Sequence, residues 1–227
     1  MTAFLFDVDN TLTPPRQKMD QSFLAFFLDW MRDRSVYLVS GSDEKKIFQQ
    51  MPSSIITRCS GVFSSMGNKL SIDKELIYAF MHQESMFNTS AKSNQGAMGL
   101  MQVLPSTAKF ITSSKDVKRN NANILKVPEI NLEVGQEYIE YLLGLEIVSN
   151  NLIYLAAAYN GGPGNLKKWK EETNFLEDPL FFMESIPSRE TRWFIEKILT
   201  KYWIYQNKNN QEMTSLKMLA NGQDPLY

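Results

Sequence analysis

Cysteine and histidine are nearly missing from this sequence: Cys59 and His82 stand alone among 227 residues. One cysteine excludes an internal disulfide framework and a multi-cysteine metal site. One histidine excludes a histidine-rich metal site. No apolar run approaches the roughly 20 residues that cross a bilayer. A secretory signal is missing too: Met1-Thr2-Ala3 carries no basic charge, and the apolar Ala3-Phe4-Leu5-Phe6 stops at Asp7. The expectation is a chain that begins in the cytosol. Charge of one sign is also lacking. Lys+Arg is 24 and Asp+Glu 25, with 8 basic and 7 acidic residues up to Lys69 and 16 and 18 beyond it. Neither part is basic, so nucleic acid is not an expected partner.

What is present is an ordinary globular composition, 43% hydrophobic and 22% charged, which excludes a disordered or low-complexity chain. The first third alternates. Phe4-Leu5-Phe6-Asp7-Val8-Asp9 reads as a buried strand stopped by Thr13-Pro14-Pro15. Phe23, Phe26, Phe27 and Trp30 recur at helical spacing, and Val36-Tyr37-Leu38-Val39 is a second buried strand. Gly41-Ser42-Asp43 caps a helix over about 44–51, and a third strand falls near Gly61-Val62-Phe63. After Gly67 the pattern is helical, with helices expected over 73–85, 106–112, 131–147, 151–159, 164–172, 178–185, 190–206 and 213–220. Ser71 and Asn131 read as N-caps, and Gly161-Gly162 as a helix stop. Trp169, Trp193, Trp203 and Tyr202 to Tyr205 read as core. The fold class is therefore two-part, α/β followed by α: a three-stranded parallel βαβαβ fragment over 1–68, then a predominantly α-helical domain over 69–227.

Asp7-x-Asp9-x-Thr11 ends a buried strand, where ligands of parallel sheets bind. There one carboxylate can attack a phosphoryl group while the other serves as acid or base, both near Mg2+. The segment Leu5 to Arg16, with the later Gly41-Ser42-Asp43, resembles the haloacid-dehalogenase-like phosphatases, closest to their phosphomannomutase branch. The resemblance covers about 3–67 and implies a phosphate-binding hydroxyl at Ser40 or Ser42. It also implies a lysine and a later acidic pair, and the chain has become something else before reaching them. Two carboxylates without those partners repel each other and hold Mg2+ weakly. Asp7, Asp9 and Ser40 are thus read as vestigial, the segment as a truncated scaffold, and no cofactor is expected.

In the helix from Asp73, Ile77, Phe80, Met81 and Glu84 fall at i, i+3, i+4 and i+7, so Glu84 shares an apolar stripe. A desolvated carboxyl there keeps its proton, as glycosidic cleavage requires. Taken by itself, this helix reads more plainly as ending in a Glu that curls into solvent. The context of Glu84 is richer. His82-Gln83-Glu84-Ser85 leads to Ser93-Asn94-Gln95-Gly96-Ala97-Met98-Gly99-Leu100-Met101-Gln102. Pro128-Glu129-Ile130-Asn131 with Gly135 and Tyr138 follows, then Ala157-Ala158-Tyr159-Asn160-Gly161-Gly162-Pro163-Gly164, then Glu184 to Arg192. These four motifs, in order over about 72–227, resemble the catalytic domain of the lytic transglycosylases, lysozyme-like enzymes that cleave bacterial peptidoglycan.

The resemblance implies Glu84 as the catalytic acid and base, and substrate contacts at Ser93, Gly99, Gln102, Tyr159, Asn160 and Glu190. Gly96 and Gly99 would let a sugar approach the backbone, and Tyr159 would offer a hydroxyl and a stacking ring. Glu190 would line the groove, unless it pairs with Arg189 or Arg192 on the surface. Leu104 stands at a cleft position often Met in the family. The implied partner is the peptidoglycan glycan strand, which places activity in the periplasm or cell wall although the chain shows no export signal. The rival functions are a Mg2+-dependent phosphatase or phosphomutase using Asp7 and Asp9, and a catalytically silent fusion.

Overall fold

The computed structural model describes residues 3–7, 19–32, 35–40, 61–64, 72–112, 117, 122–173, 175 and 178–227. Strands β1 (Ala3–Asp7), β2 (Ser35–Ser40) and β3 (Gly61–Ser64) form a parallel sheet in the order β1-β2-β3. Asp7 pairs in register with Val39, and Ser40 with Ser64, so Asp7 and Ser40 both end their strands at one edge. Asp9, the Gly41-Ser42-Asp43 turn, the helix expected over 44–51, Cys59 and the Ser71 cap lie outside the described residues.

Helix α1 (Gln21–Trp30) precedes β2. Its Phe23, Phe27 and Trp30, spaced i, i+4 and i+7, share one face. Phe27 stacks on Phe23 at 5.6 Å and on Trp30 at 5.9 Å, while Phe26 points outward. Phe27, Met19, Met31 and Val36 are buried apart from the main core.

From Lys74 onward the chain is helical: α2 (Lys74–Ser85), α3 (Pro105–Ile111), a 3-10 turn (Ala122–Lys126), α4 (Pro128–Leu143), α5 (Leu152–Gly161), α6 (Pro163–Glu172), α7 (Pro179–Ser185), α8 (Arg189–Lys208) and α9 (Thr214–Ala220). Helix α5 is the centre. Residues 152–158 are all buried, as expected of a helix apolar on every side. Asn151 caps it through Ile153 N (2.9 Å), and Gly162 ends it at φ 85°, the stop expected from Gly161-Gly162. The long α8 packs across α5 and α2, and α4 packs on α3 and α5. Phe80 from α2, Phe182 from α7 and Leu142 from α4 fill the space between them, fully buried.

Proline begins α3, α4, α6 and α7, where its missing N–H costs nothing. This corrects one expectation. Helix α4 starts at Pro128 behind Val127, so Asn131 is not a cap. Asn131 lies inside the first turn with no exposure, accepting from Met101 N (2.7 Å) and donating to Met98 O and Leu125 O (both 2.8 Å). An amide with matched donors and acceptors satisfies three backbone groups that burial would otherwise strand. It ties the 98–101 turn to α4. The cap of α2 is Asp73.

Candidate active site

Helix α2 carries Glu84 on its last turn. The preceding residues Glu75–Met81 are buried, which holds this end of the helix in place. Met86 and Phe87 then adopt left-handed φ values of 50° and 61°, and Met86 N bonds back to His82 O. Non-glycine residues seldom take that conformation, and here it turns the chain out of the helix directly behind Glu84. The Ser85 hydroxyl lies 2.8 Å from Leu100 O and 3.1 Å from Met81 O, coupling the helix end to the 97–103 turn.

Glu84 is half-buried in a groove of about 660 Å³, with Ser93, Gln102, Leu104, Tyr159, Asn160 and Glu190 among the lining residues. Burial first, and the Glu190 carboxylate second, push the Glu84 carboxyl from 4.5 up to about 8. Taking a carboxylate out of water penalises its charge, and a like charge nearby adds to the penalty. Such a group holds its proton at neutral pH and can deliver it to an atom bound beside it.

The turn opposite Glu84 is built from backbone. Met98 N and Val103 O lie 3.0 Å apart, Val103 N and Met98 O 3.1 Å, and Gly99 N donates to Ala91 O at 2.9 Å. Ser93 Oγ accepts from Ala97 N at 3.0 Å. Gln102 sits at φ 44° and donates from Nε2 to Gly99 O at 2.9 Å. Asn160 Oδ1 accepts from the Thr191 hydroxyl at 2.7 Å, joining the end of α5 to the start of α8. Glu190 lines the groove, while its neighbours are engaged elsewhere: Arg189 stacks over Trp193 at 4.5 Å, and Arg192 bonds Ile186 O.

Three expectations need correction. Gly99, at φ 76°, does not line the groove. A Cβ there would lie 2.3 Å from Leu125 O and 2.4 Å from Asn131 Nδ2, so the glycine is required by packing under the turn. Gly96, at φ 86°, has open space around it. Tyr159 does not offer a free ring. Phe80 (4.5 Å), Tyr138 (5.2 Å) and Phe194 (6.3 Å) surround it, and its hydroxyl donates to Met101 O at 2.7 Å. Burial, with the Glu84 charge second, raises the Tyr159 hydroxyl pKa well above its usual range, so this phenol stays neutral. Trp193 is exposed, not core, because it lies on the outer face of α8, whereas Trp169 is buried against Gly161.

Sequence reasoning gave no site role to Gln95, Thr107 or Tyr138, all of which line the groove. For Tyr138 a signal existed: it lies seven residues after Asn131, hence on the same face of α4. Gln95 and Thr107 reach the groove through loop and helix placement that no local pattern encodes. Among the described residues no group of three or more His, Cys, Asp or Glu could hold a metal ion, and no helix is long and apolar enough to cross a membrane.

Comparison with known proteins places these features in context. Residues 61–182, a little over half of the chain, match the family described as transglycosylase SLT domain. The chain is similar to the soluble lytic murein transglycosylase of Salmonella typhimurium, 29% identical over 91% of this chain and 33% of that protein. Its likeness to the Escherichia coli K12 soluble lytic murein transglycosylase is 35% identity over 56% of this chain and 20% of that one. Among solved structures it is similar to the 70 kDa soluble lytic transglycosylase SLT70 of Escherichia coli, with TM-score 0.58 and 28% identity over 74% of this chain and 26% of that chain. A complex of the 70 kDa soluble lytic transglycosylase with bulgecin A gives TM-score 0.58 and 31% identity over 63% of this chain and 23% of that chain. The chain thus matches about a third or less of the length of these relatives.

Proposed function

The chain belongs to the transglycosylase SLT domain family, and on that premise we propose that it is a peptidoglycan lytic transglycosylase acting through Glu84. The bond cleaved is the β-1,4 link between N-acetylmuramic acid and N-acetylglucosamine. The observation that carries this reading is a carboxyl held protonated to about pH 8 on the wall of an open groove. Glu84 gives its proton to the bridging oxygen as the bond to C1 breaks. The substrate's own N-acetyl group stabilises the cation-like centre, the substrate-assisted route that dispenses with a carboxylate nucleophile. Glu84, now ionised, takes the proton of the muramic acid 6-hydroxyl, whose oxygen closes on C1. The product is a 1,6-anhydro end, and no water is consumed.

The groove supplies polar partners for such a substrate. Ser93 keeps its hydroxyl proton to donate, since its oxygen accepts from Ala97 N. Gln102, Asn160 and Glu190 are the other polar substrate-facing candidates, and the Tyr159 oxygen retains accepting capacity. Gly99 contributes by letting Asn131 brace the turn. The reaction asks for no cofactor, and its place of action is the periplasm or cell wall.

The division at 68/69 and the truncated haloacid-dehalogenase-like reading of the first part belong to the same proposal, with that part as scaffold. Its support is the Asp7-x-Asp9 sequence pattern and the placement of Asp7 and Ser40 at the same edge of a parallel sheet. The deciding experiment is to incubate the protein with peptidoglycan and weigh the products. Fragments lighter by one water than hydrolysis products are expected. Hydrated ends only would make it a muramidase. Phosphate release that needs Mg2+ would favour the phosphatase alternative, and silence in both assays the inert fusion.

A further inference from the structure

On the side of α3 and α4 the groove wall runs into a row of aromatic rings. The centroids of Tyr159 and Tyr138 are 5.2 Å apart, those of Tyr138 and Tyr141 6.4 Å, and those of Tyr141 and Phe110 5.4 Å. The row starts inside the fold at the enclosed Tyr159 and passes the half-buried Tyr138 and Tyr141. It ends at Phe110, which is 68% exposed. Tyr159 and Tyr138 line the groove, whereas Tyr141 and Phe110 are not among its lining residues.

Helical spacing gives the row its direction. Tyr141 follows Tyr138 by three residues on α4, and Phe110 follows Thr107 by three residues on α3. Thr107 and Tyr138 both line the groove. Each helix therefore continues the same side one step further, about 4.5 Å along its axis. Helix α3 packs on α4, and the two steps meet where the Phe110 and Tyr141 rings stand at 82° to each other.

A single exposed phenylalanine is ordinary on a protein surface. Phe110 differs because a second ring backs it and a groove leads to it. Contact with Tyr141 restricts its side chain beforehand, so a ligand that stacks on it orders little that is still free. One ring offers far less than the roughly 800 Å² per partner of a stable protein interface. The exposed charges beside the two rings, Lys109 and Glu140, are of opposite sign. Such a surface has no field to gather a polyanion or an anionic membrane. The ligand that fits is uncharged and has a flat apolar face. A pyranose ring meets that description: its C–H bonds gather on the faces and its hydroxyls point out from the rim. An aromatic ring can cover one face while the hydroxyls keep their hydrogen bonds to water. A glycan strand in the groove is a chain of such rings.

We propose that Phe110, backed by Tyr141, is a stacking platform for a sugar of the strand beyond those held at Glu84, so that cleavage favours strands long enough to reach it. This rests on the transglycosylase reading and deepens it.

The test measures kcat/KM on peptide-free glycan strands of graded length, from the shortest that is cleaved upward. The full chain is compared with Phe110→Ala, Phe110→Trp and Phe181→Ala, each shown to be folded by circular dichroism. Phe181 is the control, 50% exposed on α7 and not among the groove residues. For the full chain kcat/KM is expected to step up by about three- to tenfold once a strand reaches the platform, the worth of one stacked ring. Phe110→Ala should lose that step while cleaving the shortest strands as the full chain does. Phe110→Trp and Phe181→Ala should keep it. A step that survives in Phe110→Ala, no step in the full chain, or an equal loss at every length overturns the platform and leaves the enzyme reading intact. A dimer that Phe110→Ala converts to monomer in sedimentation, with the step unchanged, overturns it in favour of a contact between copies. No cleavage of any strand by the full chain removes the transglycosylase reading and the platform with it.

Discussion

The end of α2 and the start of α8 each bring one carboxylate to the same groove, in different surroundings. Glu84 closes a helix whose preceding residues are buried, and it is itself half-buried. Glu190 opens a helix at an exposed first turn. The residue types carry the same acid, and burial on the groove wall makes Glu84 keep its proton to about pH 8. Placement, not chemical identity, therefore makes the Glu84 carboxyl a proton donor, with Glu190 the second cause of its raised pKa.

The sharpest way to break that comparison is Glu84→Gln. It should reduce turnover of peptidoglycan at least 10²–10⁴-fold, the worth of a positioned acid, with the fold unchanged by circular dichroism. Full activity in that variant would remove Glu84 from the mechanism. The same substitution has a signature in stability. Between about pH 4.5 and 8 the folded state holds a proton on Glu84 that the unfolded chain has released. Wild-type stability should fall as pH rises through that window, by about 3–5 kcal/mol in all. Glu84→Gln should therefore match wild type near pH 4 and exceed it near pH 9 in urea denaturation.

Next in size is Asn131→Ala. It strands Met101 N, Met98 O and Leu125 O and should cost about 2–4 kcal/mol. It should also lower activity by loosening the turn that faces Glu84, read as a fall in kcat/KM at a temperature where the variant is folded. Smaller again is Glu190→Gln. Removing the second cause of the Glu84 shift should move the alkaline limb of the pH–rate profile to lower pH while burial keeps it above the ordinary carboxyl range. A limb that stays in place would show that the two carboxyls do not communicate. The smallest expected effect is Asp7→Asn, which should leave glycan cleavage unchanged, since Asp7 ends a strand of the amino-terminal sheet.

Much of the site was legible because a helix translates spacing into direction. Glu84 follows Ile77, Phe80 and Met81 on one stripe, but that pattern alone also suits a helix-terminal Glu turned to solvent, and it was the motifs that follow it in the sequence that singled Glu84 out. Asn131 was misread because Asn before an apolar run is also what a cap looks like. Only the position of Pro128 and the arrival of the 98–101 turn show that its amide is spent inside the fold. Trp193 was misread because aromatic spacing does not say which side of α8 faces α5 and α2.

Taken alone, the order of residues determined the helical periods, the stop at Gly162, the strand that ends at Asp7 and the motif around Glu84. These are local properties, set by backbone sterics and side-chain direction within a few residues. The tertiary structure decided that Gly99 belongs to packing, that the Tyr159 ring is enclosed, and that Glu190 sits close enough to raise the Glu84 pKa. Those depend on the distance between segments far apart in the chain, and burial and Coulomb repulsion act only once folding has closed that distance.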